Sequence, residues 1–279
     1  MAIWMKKCRF SLVGWRRAWQ YARMFRGVFV IYFMLSCSIL QAADMGIEGI
    51  ATTLRLTRGD AKVYFFTPKT TVRSVVVFGS GDGGWTFFEK RICARLAAEG
   101  FLTLGWNCRA YAHDKYTAAI LGKDVIQMIA EARKRCAIKD VPVILGGYST
   151  GAEQSVAAAA TSGVRALLKG LLLVAPGKRG RYGLTLGDLM MMTPKGPDTF
   201  ALSDFAPALA NLRTVQIHGG YDPLDSTTWL EKLKAPIRLM NYPNGWHRFN
   251  GADESFLKMV NEGVQWLLSD KPVPPKEKP

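Results

Sequence analysis

The residues of this chain best suited to chemistry are a serine between glycines, two histidines and two aspartates downstream of it, and a glycine-rich loop upstream. Ser149 stands in Gly147-Tyr148-Ser149-Thr150-Gly151, directly after the apolar run Val141–Leu145 and before Ala-rich helical sequence. A G-x-S-x-G pentapeptide can arise by chance in a chain with 27 glycines. Its setting between a strand and a helix is what gives it meaning, because a sharp turn there pushes the hydroxyl outward as a nucleophile. The following helix start adds amide N–H groups and a positive dipole end, both suited to a developing oxyanion.

A serine hydroxyl needs a base, and the base needs an orienting acid, in the chain order Ser, Asp or Glu, His. The three histidines are His113, His218 and His247, and the last two follow Ser149. His247 lies in a loop between the apolar run Ile237–Tyr242 and the final helix, where such a fold places its base. His218 ends the strand-like run Thr214–His218 and reads as a structural residue bonding the loop after it. That loop, Gly219-Gly220-Tyr221-Asp222-Pro223-Leu224-Asp225, supplies the acid. Asp222 is the choice and Asp225 the reserve, the latter also placed to cap a helix over Ser226–Leu233. His113 sits upstream in a polar turn, too early for a base, with lining the cleft as the role left open to it.

An oxyanion hole requires two donors. The Thr150 amide is one, and the loop Gly79-Ser80-Gly81-Asp82-Gly83-Gly84-Trp85 after Val75–Phe78 supplies the other from Asp82 or Gly81. The loop lacks the G-x-x-x-x-G-K-[ST] pattern of a phosphate loop. Its formal G-x-G-x-x-G match lacks the acidic residue of a dinucleotide site, since Asn107 stands there. Trp85 and Tyr148, beside the two motifs, are expected to bind substrate together with Asp82 and Glu153. No metal and no cofactor is expected.

The elements that position these residues read as short apolar strands alternating with helices. Strands are expected at 62–66, 72–78, 101–106, 141–145, 171–175, 214–218 and 237–242, the first two as an antiparallel edge hairpin. Helices are expected at 87–99, 116–135, 153–162, 226–233 and 252–268. Alternation of this kind predicts an α/β-hydrolase fold: a mostly parallel, doubly wound sheet with helices on both faces and its site at the carboxyl ends of the strands. The irregular stretch 176–212, with Lys178-Arg179-Gly180-Arg181 and Met190-Met191-Met192, is placed to cap the cleft.

Three blocks carry a family resemblance. Phe78-Gly79-Ser80-Gly81-Asp82-Gly83-Gly84-Trp85 is similar to the S-G-D-G-G-W loop of VirJ-type bacterial virulence proteins, and Gly105–Tyr111 and Gly146–Glu153 resemble two further blocks. The similarity covers roughly residues 72–268. It implies an exported α/β-hydrolase with Ser149, Asp222 and His247 as its triad. A related two-domain protein of the AcvB type is associated with hydrolysis of aminoacylated phosphatidylglycerol, which implies an aminoacyl, most of all lysyl, ester as substrate. Asp82 and Glu153 would then face the lysyl amines. The chain departs from the family pattern at Thr150, Glu153 and Asn107, where Phe, Asp and Asp are usual. A general carboxylesterase or thioesterase, and a non-catalytic exported protein assisting secretion, are the alternatives.

Composition sets the surroundings. At 49% hydrophobic residues, 279 residues suffice for one α/β domain, expected over 44–270. Residues 1–26 hold seven basic residues and no acid, and 27–40 is almost wholly apolar. Residues 1–43 therefore read as a signal peptide or, uncleaved, an N-terminal membrane anchor, and the protein as periplasmic or otherwise exported. The formal charge of +15 drops to +8 without that segment. Such a surplus suits an anionic membrane surface better than nucleic acid, for which no motif is present. The expected partner is a lipid or small ester. Cys93, Cys108 and Cys136 can form at most one disulfide. The Pro-rich tail 271–279 is expected to be disordered.

Overall fold

The computed structural model describes residues 49–272, apart from 138–139, 186 and 188–191. The expected signal or anchor at 1–43 lies outside the described residues.

An eight-stranded sheet carries the fold, in the order β1 (Ile50–Leu56), β2 (Gly59–Phe66), β4 (Phe101–Trp106), β3 (Ser74–Gly79), β5 (Val143–Tyr148), β6 (Gly170–Val174), β9 (Arg213–Gly219), β10 (Ile237–Tyr242). From β4 to β10 every neighbouring pair is parallel, and β1 and β2 are antiparallel at one edge. The small ribbon β7 (Arg179–Arg181) with β8 (Thr199–Ala201) stands apart from the sheet.

Strand alternation sorts the core into two layers. Val75, Val77, Leu145, Leu171 and Leu173 face one cluster, while Val76, Phe78, Ile144, Leu172 and Val174 face the other. Helices α2 (Ala118–Lys134) and α3 (Thr150–Ala159) cover the first layer; α1 (Phe87–Ala98) and α4 (Glu254–Leu268) cover the second. Helices thus shield both faces, as the fold class requires.

The expected edge hairpin is corrected. β2 turns back onto β1 and also pairs with β4, while β3 runs between β4 and β5. Every residue of β3 is buried, which suits a central strand covered on both faces and not an edge. The helix expected at 226–233 is a 3-10 segment over Thr228–Lys232, and Asp225 does not cap it. Of the expected disordered tail, Lys271 and Pro272 are described and held: their carbonyls accept from Arg213 at 3.0 Å and the Trp266 indole at 3.4 Å. Cys93, Cys108 and Cys136 are all unpaired. Among the described residues no helix is long and apolar enough to cross a membrane.

Asp253 starts α4 by accepting from the Phe256 amide at 2.9 Å and the Ser255 hydroxyl at 2.7 Å. Burial opposes its charge, but bonds from Tyr242, Phe256, Ser255 and Asn250 outweigh it and hold the carboxyl at about 2, against an ordinary 3.8. A depressed carboxyl stabilises the fold above its unfolded value and loses that contribution as pH falls through the folded one. Asp253→Ala is therefore expected to lower unfolding free energy by about 1 kcal/mol at pH 7. In urea titrations, the gap from the unsubstituted protein should close as pH falls from 4 towards 2.

Candidate active site

The loops after β3, β5, β9 and β10 meet at the carboxyl edge of the sheet, and each contributes one part of the site. Ser149 occupies the turn between β5 and α3 with φ 51° and ψ −120°, a conformation that costs an L-residue about 1–3 kcal/mol. Its amide is pinned to the Val174 carbonyl at 2.8 Å, which holds the turn in place. The two flanking glycines are steric necessities. A Cβ on Gly147 would lie 2.4 Å from the Gly151 backbone, and one on Gly151 would lie 2.5 Å from the Gly79 and Ser80 carbonyl oxygens.

Ser149, His247 and Asp222 form a hydrogen-bonded chain. The distance from Ser149 Oγ to His247 Nε2 is 3.0 Å, and from His247 Nδ1 to Asp222 Oδ2 it is 2.6 Å. A carboxylate can only accept, so the Nδ1 hydrogen goes to Asp222 and Nε2 is left to accept the serine hydroxyl. That is the tautomer a general base needs. Asp222 Oδ1 in turn accepts from the Leu224 amide at 2.9 Å, which fixes the carboxylate plane. Burial pushes the Asp222 carboxyl up, but the hydrogen bond and charge of His247 and the Leu224 and Asp225 amides outweigh it, so the group lies below its usual range. It stays ionised beside the imidazole.

The reserve acid belongs to a second pair. Asp225 Oδ2 accepts from His218 Nδ1 at 2.7 Å, and Oδ1 accepts from the Gln216 amide at 2.9 Å. Burial pushes the Asp225 carboxyl up despite His218, and the Asp225 hydrogen bond pushes His218 up. This pair ties β9 to its own loop, the structural part expected of His218. His113 is exposed, its ring meets the neighbouring Asp114 at 3.1 Å, and it is not among the residues lining the cleft.

The two expected oxyanion donors separate. The Gly81 amide points to buried Glu89 at 3.4 Å, so it is turned away from the reaction centre. Among the described residues the Asp82 and Thr150 amides donate to no acceptor, and both residues line the cleft with Ser149. Asp82 and Thr150 are therefore the donor pair the geometry favours. Glu89 is a positioning residue that sequence reasoning missed. Its carboxylate also accepts from the Thr86 amide at 2.9 Å and hydroxyl at 2.6 Å, which ties the loop to the first turn of α1. The Thr86-Phe87-Phe88-Glu89 capping box was the available signal.

The cleft has a volume of about 330 Å³, with Ser149, His247, Asp82 and Glu153 in its wall. Glu153 accepts from the Gly177 amide at 3.1 Å. Trp85 and Tyr148 are not cleft residues. The Trp85 ring stacks on Tyr64 at 4.7 Å and fills the hollow over Gly105, where a Cβ would come within 1.8 Å of it. Tyr148 is buried beneath the site, 5.1 Å from the His247 ring and 4.6 Å from Phe88. It packs beneath the base and lies outside the cleft lining. Asn107 caps the short helical turn Cys108–Tyr111 by accepting from Ala110. Among the described residues no group of His, Cys, Asp and Glu is arranged to hold a metal ion.

Comparison with known proteins agrees with this architecture. A family model described as bacterial virulence protein (VirJ) matches residues 73–266. No curated protein sequence matches the chain. A putative dienelactone hydrolase from Klebsiella pneumoniae superposes with a TM-score of 0.59 at 17% identity, covering 79% of this chain and 96% of its own. The protein Est1E from Butyrivibrio proteoclasticus gives 0.58 at 14%, covering 79% and 99%. A soluble variant of monoglyceride lipase from Saccharomyces cerevisiae gives 0.57 at 14%, covering 79% and 95%. At these identities the likeness establishes the α/β-hydrolase fold.

Proposed function

The chain belongs to the VirJ family of bacterial virulence proteins, and from that premise we propose that it is an exported serine hydrolase that cleaves the lysyl ester of phosphatidylglycerol. The observation that carries the chemistry is the Ser149–His247–Asp222 hydrogen-bonded chain, set beside two amides at the cleft wall that have no acceptor among the described residues. As Ser149 Oγ attacks the acyl carbon, His247 Nε2 takes its proton. The tetrahedral oxyanion accepts from the Asp82 and Thr150 amides. Collapse expels the lipid's glycerol hydroxyl, which receives the proton from His247. Water, deprotonated by the same nitrogen, then releases the acyl group as free lysine.

The lysyl assignment rests on the family resemblance and on Asp82 and Glu153 among the acids of the cleft wall. Asp82 is the stronger of the two, because no hydrogen bond or ion pair engages its carboxylate among the described residues, whereas Glu153 already holds the Gly177 amide. Export rests on the basic and apolar composition of residues 1–43.

Incubation of the purified protein with lysyl-phosphatidylglycerol should release lysine. Asp82→Asn, which keeps the backbone donor, should raise KM for the lysyl lipid about tenfold, the worth of one charge-assisted hydrogen bond. An unchanged KM in both Asp82→Asn and Glu153→Gln would remove the acids from the acyl pocket. Turnover of short p-nitrophenyl esters with no lysine release would leave a general carboxylesterase. Failure of folded protein to react with a fluorophosphonate at Ser149 would favour a non-catalytic role.

A further inference from the structure

The cleft wall carries both signs of charge: Asp82 lines it near Ser149, and Lys178, Arg179 and Arg181 contribute a basic stretch. That wall is built rather than incidental. Arg179 and Arg181 are two apart on β7, so they project to one side of the ribbon while Gly180 projects to the other. Gly180 is pressed onto Phe200 and Glu153, where a Cβ would come within 2.4 Å of the Phe200 ring. The ribbon cannot turn over without a clash, and both arginines stay directed at the cleft.

Further contacts brace the same segment. The Arg181 carbonyl accepts from the Tyr116 hydroxyl at 3.0 Å, and that hydroxyl accepts from Gln154 on α3 at 2.8 Å. The basic wall is thereby tied to the helix that begins at the nucleophile. One guanidinium nitrogen of Arg179 donates to Thr199 Oγ1 at 2.7 Å, which orients the planar fork while most of its donors remain for a ligand. Two acids close to this wall have cations of their own: Asp225 is paired with His218 at 2.7 Å, and Asp198 with Lys115 at 2.6 Å.

We infer that Lys178, Arg179 and Arg181 form an anion subsite that selects esters whose leaving alcohol carries a phosphodiester. The inference rests on the serine-hydrolase reading and adds which residues recognise the alcohol side. Arginine suits the task because its rigid fork matches two phosphate oxygens at once, and Lys178 adds an exposed point charge. A cationic acyl group beside Asp82 and an anionic alcohol beside β7 would set the ester bond across the cleft in one orientation only.

The test uses the purified full chain and two soluble esters with the same acyl group, one of glycerol and one of glycerophosphoglycerol. The ratio of kcat/KM for the anionic ester over the neutral one should be about tenfold or more, carried by KM, since two or three charge-assisted contacts are at stake. The double variant Lys178→Gln/Arg179→Gln should bring that ratio close to one, and Lys178→Arg/Arg179→Lys should restore part of it. Thermal unfolding of each variant separates a lost subsite from a lost fold. An unaltered ratio in the double variant, or an equal fall in kcat for both esters, overturns the subsite. The same pair presented in vesicles distinguishes headgroup from bilayer. Preference already present in solution assigns it to the phosphate, and preference confined to vesicles overturns the subsite in favour of surface attraction. If neither ester turns over and Ser149 does not label, the hydrolase reading fails by itself. Calorimetric binding of glycerophosphoglycerol then decides the subsite, supporting it if binding disappears in the double variant and overturning it if the unsubstituted protein does not bind.

Discussion

Ser149→Ala is expected to lower ester turnover by about 10⁶, the scale on which serine hydrolases depend on their nucleophile. The substitution removes one atom, the oxygen that lies 3.0 Å from His247 Nε2. The amides of Asp82 and Thr150 remain, so a residual rate about 10³-fold or more above water should survive. Fluorophosphonate labelling should vanish while urea unfolding changes little, because alanine inherits the same φ of 51°. Ser149→Gly should be equally inactive but more stable by about 1 kcal/mol, since glycine adopts that conformation without strain. A variant that loses stability in step with activity would point to a structural serine. Inactive Ala and Gly variants that differ from each other in stability would place the strain where the chemistry is.

Much of this arrangement could be read before any coordinates, and the exceptions share a cause. The order Ser149, Asp222, His247 and the glycine loop before Asp82 are local signals, each fixed by a few neighbouring residues. The Gly147 requirement is equally local, because the clashing atoms belong to the turn itself, whereas Gly151 is required by the Gly79 and Ser80 carbonyls at the end of a strand far away in sequence. Trp85 was expected in the cleft because it closes the loop motif, yet its ring follows the hollow over Gly105 on β4. No local pattern encodes that hollow. Tyr148 was misplaced for a related reason: as the last residue of β5 it alternates onto the α1 and α4 face, where Phe88 receives it. The choice between Gly81 and Asp82 as donor turned on Glu89, eight residues along on α1. β1 escaped notice because its residues are mostly exposed or half-buried, so an edge strand carries little hydrophobic signal. Residues 67–73 link β2 and β3, which are not neighbours in the sheet, and nearness in sequence misled there.

Asp222→Asn carries the second large effect, a fall in kcat of about 10⁴ with the active-site geometry preserved. An asparagine can offer its amide N–H to His247 Nδ1, which then accepts and carries no hydrogen. The proton moves to Nε2, the nitrogen that must accept from Ser149, and the base is blocked by its own tautomer. Asp225→Asn provides the contrast. It disturbs His218 and Gln216 but leaves the 2.6 Å contact between His247 and Asp222 untouched, so its cost should be far smaller. The two aspartates should also differ in their response to pH. The Asp222 carboxyl lies below its usual range, so the stability it contributes is complete above its unfolded value and declines only as pH falls beneath it. Asp222→Asn should therefore destabilise at neutral pH, with the difference shrinking in acid. Burial raises the Asp225 carboxyl, and its ionised form opposes folding, so Asp225→Asn should not reproduce that pattern. Paired measurements of kcat and urea midpoint between pH 3 and 8 would settle which acid serves the imidazole. A 10⁴ loss in Asp225→Asn with near-normal turnover in Asp222→Asn would reverse the assignment and make His218 the base to examine.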